Sequence, residues 1–295
     1  MTDQTTVEAL RSIGAVISPD NARATQAVYA PQHQLAPFDD VLVERDLGYG
    51  PHLRNVLDTF RPAAGADVGE APRAVVVFVH GGNFVAGDKH VPGSPFYDNV
   101  GVWAVRHGFV GITVTYRLAP EFRHPSGIED LGAVVAWIRG HAGALGADPD
   151  RIVLVGASAG AVHVASWLAE QERGQAPIAG AVLLSGLYDL RDVPREPVLN
   201  TYYGSVEQIA DVSPLPRLAG TDVPLMVAIT ELDPPGHHRQ FLGLAEAVLD
   251  GQGTLPRLLY LAGHNHFSEV LHLGTADQTL GRELEAFIGG LGKRG

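Results

Sequence analysis

A serine flanked by small residues, Gly156-Ala157-Ser158-Ala159-Gly160, follows directly on the apolar run Arg-Ile-Val-Leu-Val at 151–155. This is a G-x-S-x-G pattern with a strand-like segment before it and a helical pattern after it. That context raises a serine hydroxyl on a sharp bend at the end of a strand, where it can act as a nucleophile. The glycines fit because side chains at those positions would clash across so tight a turn. A plain Gly/Ser turn with Ser158 as a helix cap is the alternative, and the rest of the chain has to decide between them.

Acyl transfer through a serine needs three further things: a base, a group to orient the base, and donors for the oxyanion. His80-Gly81-Gly82 stands at the end of the strong apolar run 74–79. Its glycines let backbone N–H groups approach a substrate oxygen. The N–H groups of Gly81, Gly82 and Ala159 are the candidate oxyanion donors, with His80 orienting the loop. The expected chain order is Ser, then Asp or Glu, then His. Asp233 follows the run 223–230 and precedes Pro234, which favours an extended loop. It is the favoured carboxylate, and Glu231 is its competitor. After the run 256–262 come His264 and His266, both candidates for the base. Two histidines two apart also suggest a metal, as does the pair at 237–238, but no third ligand sits at a convincing spacing. No metal is expected. Gly-Gly-Asn-Phe-Val-Ala-Gly at 81–87 lacks the Lys-Ser/Thr of a phosphate loop, so no nucleotide or other cofactor is expected either.

These residues must be positioned by the elements around them. Runs at 74–79, 109–116, 151–156, 179–186, 223–230 and 256–262 are continuously apolar and rich in Val, Ile and Leu. That pattern predicts parallel strands covered on both faces. Less buried strands are expected at 41–50 and near 57–60. Helical spacing fills 126–145, 158–173, 238–251 and 276–290, the first of these opening on a capping box of Ser126 and Glu129. The alternation predicts an α/β fold: a mostly parallel central sheet with helices on both faces. The first 40 residues are helical and precede the alternation, and they are expected to cap the carboxyl edge of the sheet. Residues 190–218 are an insertion of the same kind, and 61–73 is an exposed loop. The whole chain, 1–295, reads as one domain.

The bulk composition narrows the partners. A net charge of −12 argues against nucleic acid or an anionic membrane. There is no cysteine, which removes disulfides, thiolate-bound metals and a Cys nucleophile. No signal peptide and no uninterrupted span of about 18 apolar residues is present, so a cytoplasmic protein with no membrane association is expected. A homodimer is compatible with this reading.

Taken together, His-Gly-Gly-Asn-Phe (80–84), Tyr-Arg-Leu-Ala-Pro-Glu (116–121), the segment 148–160, Glu-Leu-Asp-Pro (231–234) and Gly-His-Asn-His-Phe (263–267) resemble, in order and spacing, the α/β-hydrolase carboxylesterases. The resemblance is to the group of hormone-sensitive-lipase-like and kynurenine-formamidase-like esterases, and it runs from about residue 45 to the C-terminus. It implies the α/β-hydrolase fold with a small N-terminal helical cap. It further implies Ser158 as nucleophile, Asp233 as carboxylate and His266, three residues after Gly263 and before Phe267, as base. The implied activity is hydrolysis of small-molecule carboxylic esters of small to medium acyl chain through an acyl-enzyme. Amide or aryl-formamide hydrolysis by the same triad is the alternative, and a non-catalytic binding protein on this fold is a more distant one. The chain departs from the group at Asn83, where a third glycine is common, at Ala157, where an acid is common, and in the segment 235–240 after Asp233-Pro234. These departures point to the smaller esterase and formamidase branch. Asn83, Phe84, Leu187 and Tyr202 are expected to contact substrate, and Phe96, Tyr97 and Tyr203 are further candidates for the pocket wall.

Overall fold

The computed structural model describes residues 3–63, 71–193, 197–204, 209 and 211–292. The middle of the expected loop at 61–73 and parts of the insertion at 190–218 lie outside the described residues.

Two helices come first, α1 (Gln4–Ile13) and α2 (Pro19–Tyr29). Each starts on a side-chain cap: Asp3 accepts from the Thr6 N–H and Ser18 from the Asn21 N–H. Eight strands then build one sheet: β1 (Val41–Gly48), β2 (Val56–Pro62), β3 (Arg73–Val79), β4 (Val110–Val114), β5 (Ala147–Ala157), β6 (Gly180–Leu184), β7 (Leu225–Thr230) and β8 (Arg257–Leu261). Their spatial order is β1-β2-β4-β3-β5-β6-β7-β8. From β3 to β8 all pairings are parallel, while β2 runs antiparallel to both β1 and β4. The six predicted apolar runs are these six parallel strands.

Strand alternation divides the core. Val75, Val77 and Val79 of β3 point into one cluster; Ala74, Val76 and Phe78 point into the other. On the first face lie α4 (Ser126–Leu145), α5 (Ala159–Ala169) and α8 (Pro235–Gln252), through residues such as Val134, Ile138, Val164 and Leu244. On the second lie α3 (Asp98–Arg106), α9 (Ser268–Leu271) and α10 (Thr279–Gly290), through Trp103, Leu271 and Leu284. Leu10 of α1 and Tyr29 of α2 are buried in that second cluster. Two further short helices, α6 (Pro197–Tyr203) and α7 (Leu215–Leu218), come from the insertion between β6 and β7. None of the helices among the described residues is long and apolar enough to cross a membrane.

Three expectations change. β2 is not half-buried: Leu57, Asp58, Thr59 and Phe60 are all buried, because β2 lies inside the sheet. Its polar Asp58 is tolerated there by ion pairs to Arg45 at 2.7 Å and Lys89 at 2.8 Å. β8 is the sheet's edge strand, so Leu258 and Tyr260 face solvent rather than a second layer. The capping box on α4 does not form. Pro125 is the N-cap, which makes Ser126 the first helical residue, and Glu129 pairs instead with Arg117 at 2.7 Å.

Candidate active site

Ser158 sits between the end of β5 and the start of α5 with φ 53° and ψ −120°. A non-glycine residue avoids this region, and it is found where surrounding structure forces it. The forcing is visible. A Cβ on Gly156 would come within 2.5 Å of the Gly160 carbonyl oxygen, and one on Gly160 within 2.1 Å of the Val79 carbonyl oxygen. The Ser158 N–H is held by the Leu184 carbonyl at 2.8 Å, which ties the bend to the neighbouring strand. The sharp bend read from the sequence is therefore present, and Ser158 remains partly accessible at its apex.

Beside it runs the loop after β3. A Cβ on Gly81 would meet the Ser158 Cβ and the Ala157 carbonyl oxygen at 3.1 Å, tighter than an ordinary contact, so glycine lets the loop lie this close without pushing its neighbours away. Gly82, Asn83 and Phe84 all have positive φ, at 129°, 53° and 66°. His80 is fully buried, and its Nδ1 lies 2.6 Å from the Gly81 carbonyl oxygen. Burial lowers its pKa to about 4, so it is neutral at physiological pH and donates that hydrogen bond from Nδ1. A trans peptide sets C=O and N–H on opposite sides. Drawing the Gly81 carbonyl toward His80 therefore turns the Gly82 N–H the other way. Tyr116 braces the arrangement by stacking on the His80 ring at 4.4 Å and donating to the His80 carbonyl at 2.8 Å.

Asp233 follows β7 and is buried. Its Oδ1 lies 2.6 Å from His266 Nδ1. Its Oδ2 accepts from the Thr230 N–H at 2.9 Å and the Thr230 hydroxyl at 2.7 Å, and it lies 2.6 Å from Ser185 Oγ. Burial alone would raise the carboxyl's pKa. The neighbouring His266 and the hydrogen bonds from His266, Ser185 and Thr230 outweigh it and hold the group well below the ordinary carboxylate range. Asp233 is thus a fixed negative charge facing one nitrogen of an imidazole, which leaves Nε2 for proton transfer.

The two competitors have other partners. Glu231 accepts from the Gly263 N–H at 2.8 Å and pairs with Arg11 of α1 at 3.1 Å. His264 is fully buried between Ser268 Oγ at 3.0 Å and Asp277 Oδ2 at 3.2 Å. With His272, these residues form the one cluster among the described residues whose atoms could surround a metal ion. His272 is already committed, however: Nδ1 donates to the Ser268 carbonyl at 2.8 Å and Nε2 accepts from the Leu280 N–H at 3.2 Å. The cluster is a hydrogen-bonded brace under the loop that carries His266.

Ser158 opens onto a cleft of about 540 Å³, within the usual range for small-molecule sites. Phe84, Val162, Leu187, Val193 and Leu199 give it an apolar side, and Asn83 also lines it. Ala15, Val16 and Ile17, the link between α1 and α2, form another wall. Of the residues expected to contact substrate, Asn83, Phe84 and Leu187 line the cleft. Tyr202 does not. It is buried behind Phe84, stacked on that ring at 4.7 Å, and its hydroxyl accepts from the Gly127 N–H at 3.1 Å. Tyr203 lies in the same aromatic group, edge-on to Phe84. Phe96 is a core residue of the α3 face, and Tyr97, partly buried, packs against that core. An aromatic residue near a site in sequence is as easily a support as a wall, and spacing alone does not separate the two.

Three residues at the site are not read as such from the sequence, where His237 is weighed only as one of a histidine pair. His237 lines the cleft with its ring edge-on to His266 at 5.2 Å, and burial lowers its pKa to about 4. Ser185, at the end of β6 with φ 47°, meets Asp233. Glu269, three residues after His266, is buried and lies 2.7 Å from Ser185. A lone acid inside the apolar turn Ser268–Leu271 was the available signal for it.

Comparison with known proteins agrees with this geometry. A family model described as α/β hydrolase fold matches residues 76–215. Esterase LipI of Mycobacterium tuberculosis is 37% identical over 124 residues, which is 41% of this chain and 37% of LipI. The chain thus matches little more than a third of that relative's length. Esterase LipC of the same organism is 27% identical over 303 residues, covering 92% of this chain and 71% of LipC. Among solved structures, esterase B from Lactobacillus rhamnosis, with a tributyrin phosphonate inhibitor, superposes with a TM-score of 0.74 at 17% identity, covering 98% of this chain and 96% of that one. The chain has the α/β-hydrolase fold, and these matches support a carboxylesterase of the hormone-sensitive-lipase-like group that its motifs resemble.

Proposed function

We propose that this protein hydrolyses small-molecule carboxylic esters of small to medium acyl chain, with Ser158 as nucleophile, His266 as base and Asp233 as the orienting carboxylate. One arrangement carries the reading: a serine held in strained geometry beside Gly81, facing an apolar cleft, in a chain whose Asp233–His266 pair is closed at 2.6 Å. In this scheme His266 Nε2 accepts the Ser158 proton as Oγ attacks the ester carbonyl. Asp233 stabilises the imidazolium that forms. The N–H groups of Gly81, Gly82 and Ala159 receive the oxyanion. The proton then passes to the leaving alcohol, and water repeats the cycle on the acyl-enzyme. The apolar wall of Leu187, Val193 and Leu199 suits the acyl chain, and the 15–17 link acts as the cap. A cytoplasmic site of action and a homodimer are carried along as parts of the same proposal.

The test is hydrolysis of p-nitrophenyl butyrate by the protein and by Ser158→Ala. Turnover in the first and silence in the second supports the assignment. A matched anilide, run alongside, separates ester from amide hydrolysis. If neither protein turns over, a serine-directed phosphonate decides: labelling at Ser158 means a different ester, and no labelling ends the reading.

A further inference from the structure

We propose that Glu269 is kept as a neutral carboxylic acid that, through Ser185, fixes the hydrogen bonding of Asp233, so that a two-residue proton-ordered chain stands behind the triad. This rests on the triad reading above, and it makes Ser185 and Glu269 positioning residues.

The argument begins with counting protons. Ser185 Oγ lies 2.6 Å from Asp233 Oδ2 and 2.7 Å from Glu269 Oε2. A hydroxyl has one hydrogen, and an ionised carboxylate only accepts. With both acids ionised, one of these short contacts would set lone pair against lone pair. One of the two acids therefore carries a proton.

Hydrogen-bond supply decides which. Asp233 receives His266 Nδ1 on one oxygen and two donors from Thr230 on the other, apart from Ser185. Glu269 is 1% exposed, and its Oε1 has no partner. A buried anion without donors is the costlier charge to hold. Burial, and secondarily the charge on Asp233, raise the Glu269 pKa well above the ordinary value. Among the described residues, no lysine or arginine is ion-paired with Asp233 or Glu269, and Asp233 meets His266. Tyr97 and Tyr188 face them as neutral phenols raised by burial, and His237 across the cleft is a neutral imidazole. The order of donation is then Glu269 Oε2–H to Ser185 Oγ, and Ser185 Oγ–H to Asp233 Oδ2.

The consequence is electrostatic and geometric. Asp233 Oδ2 is held by three donors from the ends of β6 and β7, which leaves Oδ1 for His266. The negative charge behind the base stays at one unit. An ionised Glu269 would add a second and make His266 harder to deprotonate.

Infrared spectroscopy of the whole protein in D2O at neutral pH, with and without carboxyl-13C glutamate, tests the protonation directly. Glu269 is the only buried glutamate among the described residues. The expected result is a protonated-acid carbonyl band that moves with the glutamate label and is lost in Glu269→Gln. No such band in the labelled wild type overturns the proposal, whether or not the protein turns over any ester. Failure here is therefore distinct from failure of the triad, which Ser158→Ala reads. Kinetics test the positioning. Glu269→Gln can still donate to Ser185, so the acid limb of its kcat/KM–pH profile should stay in place. Glu269→Met cannot donate, and should lose about tenfold in kcat, the scale of one hydrogen bond next to a charge, with Gln restoring it. A downward shift of the acid limb in Glu269→Gln by about half a unit or more would mean that a negative charge had been removed, and would overturn the proposal. So would a Glu269→Met enzyme with wild-type kcat.

Discussion

A Cβ placed on Gly160 would lie 2.1 Å from the carbonyl oxygen of Val79, so the first turn of α5 rests directly on the backbone at the end of β3. This contact sets the nucleophile bend against the loop of candidate oxyanion donors. Gly160→Ala is therefore expected to destroy the arrangement, with little soluble protein and no esterase activity. Gly143 of α4 is the control. Nothing lies within 4 Å of its would-be Cβ, so Gly143→Ala should stabilise by about 0.5–1 kcal/mol through helix propensity alone. Thermal melts of the two variants check both halves.

Asp233→Asn should leave the fold standing and lower kcat by about 10⁴-fold, the loss seen when a triad carboxylate is replaced by an amide that favours the wrong imidazole tautomer. Single-turnover kinetics on p-nitrophenyl butyrate would measure it.

The same aspartate contributes to acid stability with a definite sign. Its folded pKa is depressed below the unfolded value of about 3.9. Its contribution is therefore full above that value and is lost as pH falls through and below it. The stability of wild type relative to Asp233→Asn should fall between about pH 4 and pH 2.5. Urea titrations across that range would show it.

Glu269 should act in the opposite direction. Its folded pKa is raised, so between the unfolded value of about 4.3 and the folded value the native state holds a proton that the unfolded state has released. Stability from this group falls as pH rises, by about 1.4 kcal/mol per unit. Glu269→Gln abolishes that slope. Its melting temperature relative to wild type should climb steadily from pH 4.5 to pH 7.5, and a flat difference would refute the assignment of the proton.

The cleft wall should set acyl length. Leu187→Trp fills space beside Ser158, so the ratio of kcat/KM for octanoate over acetate esters should drop by about tenfold or more, as expected for an apolar pocket that loses room for several methylenes. A p-nitrophenyl ester series gives the ratio.

Much of this was legible from the chain. Ser158, Asp233 and His266 are each announced by an apolar run that ends just before them, because parallel strands buried on both faces read as continuous Val, Ile and Leu. His80 and its two glycines are legible for the same reason. What stayed hidden depends on the third dimension. Spacing marked Tyr202 as near the site but could not tell that its ring lies behind Phe84. Ser185 and Glu269 belong to different elements, 84 residues apart, and only the parallel packing of β6 and β7 with α9 above them makes them neighbours. β2 was misjudged because its polar Asp58 and Thr59 look exposed until Arg45 and Lys89 are seen to bury the charge.

The attachment of α1 and α2 bears on how the proposed activity would be lost. They are joined to the loops after β7 and β8 through Arg11–Glu231 and Thr25–Asn265, and His33, just beyond α2, meets the Leu271 carbonyl of α9, contacts that span 220 to 240 residues of chain. The link between them carries the cleft wall, and Val16 there is 68% exposed. Of the two helices only Thr6, Leu10, Thr25 and Tyr29 are buried, and elements with few buried contacts open locally before the global transition. On warming, the wall should peel away while the sheet is still whole. Thermal inactivation would then precede melting, so the working lifetime of the catalyst is governed by its first thirty residues rather than by the strands that hold its serine.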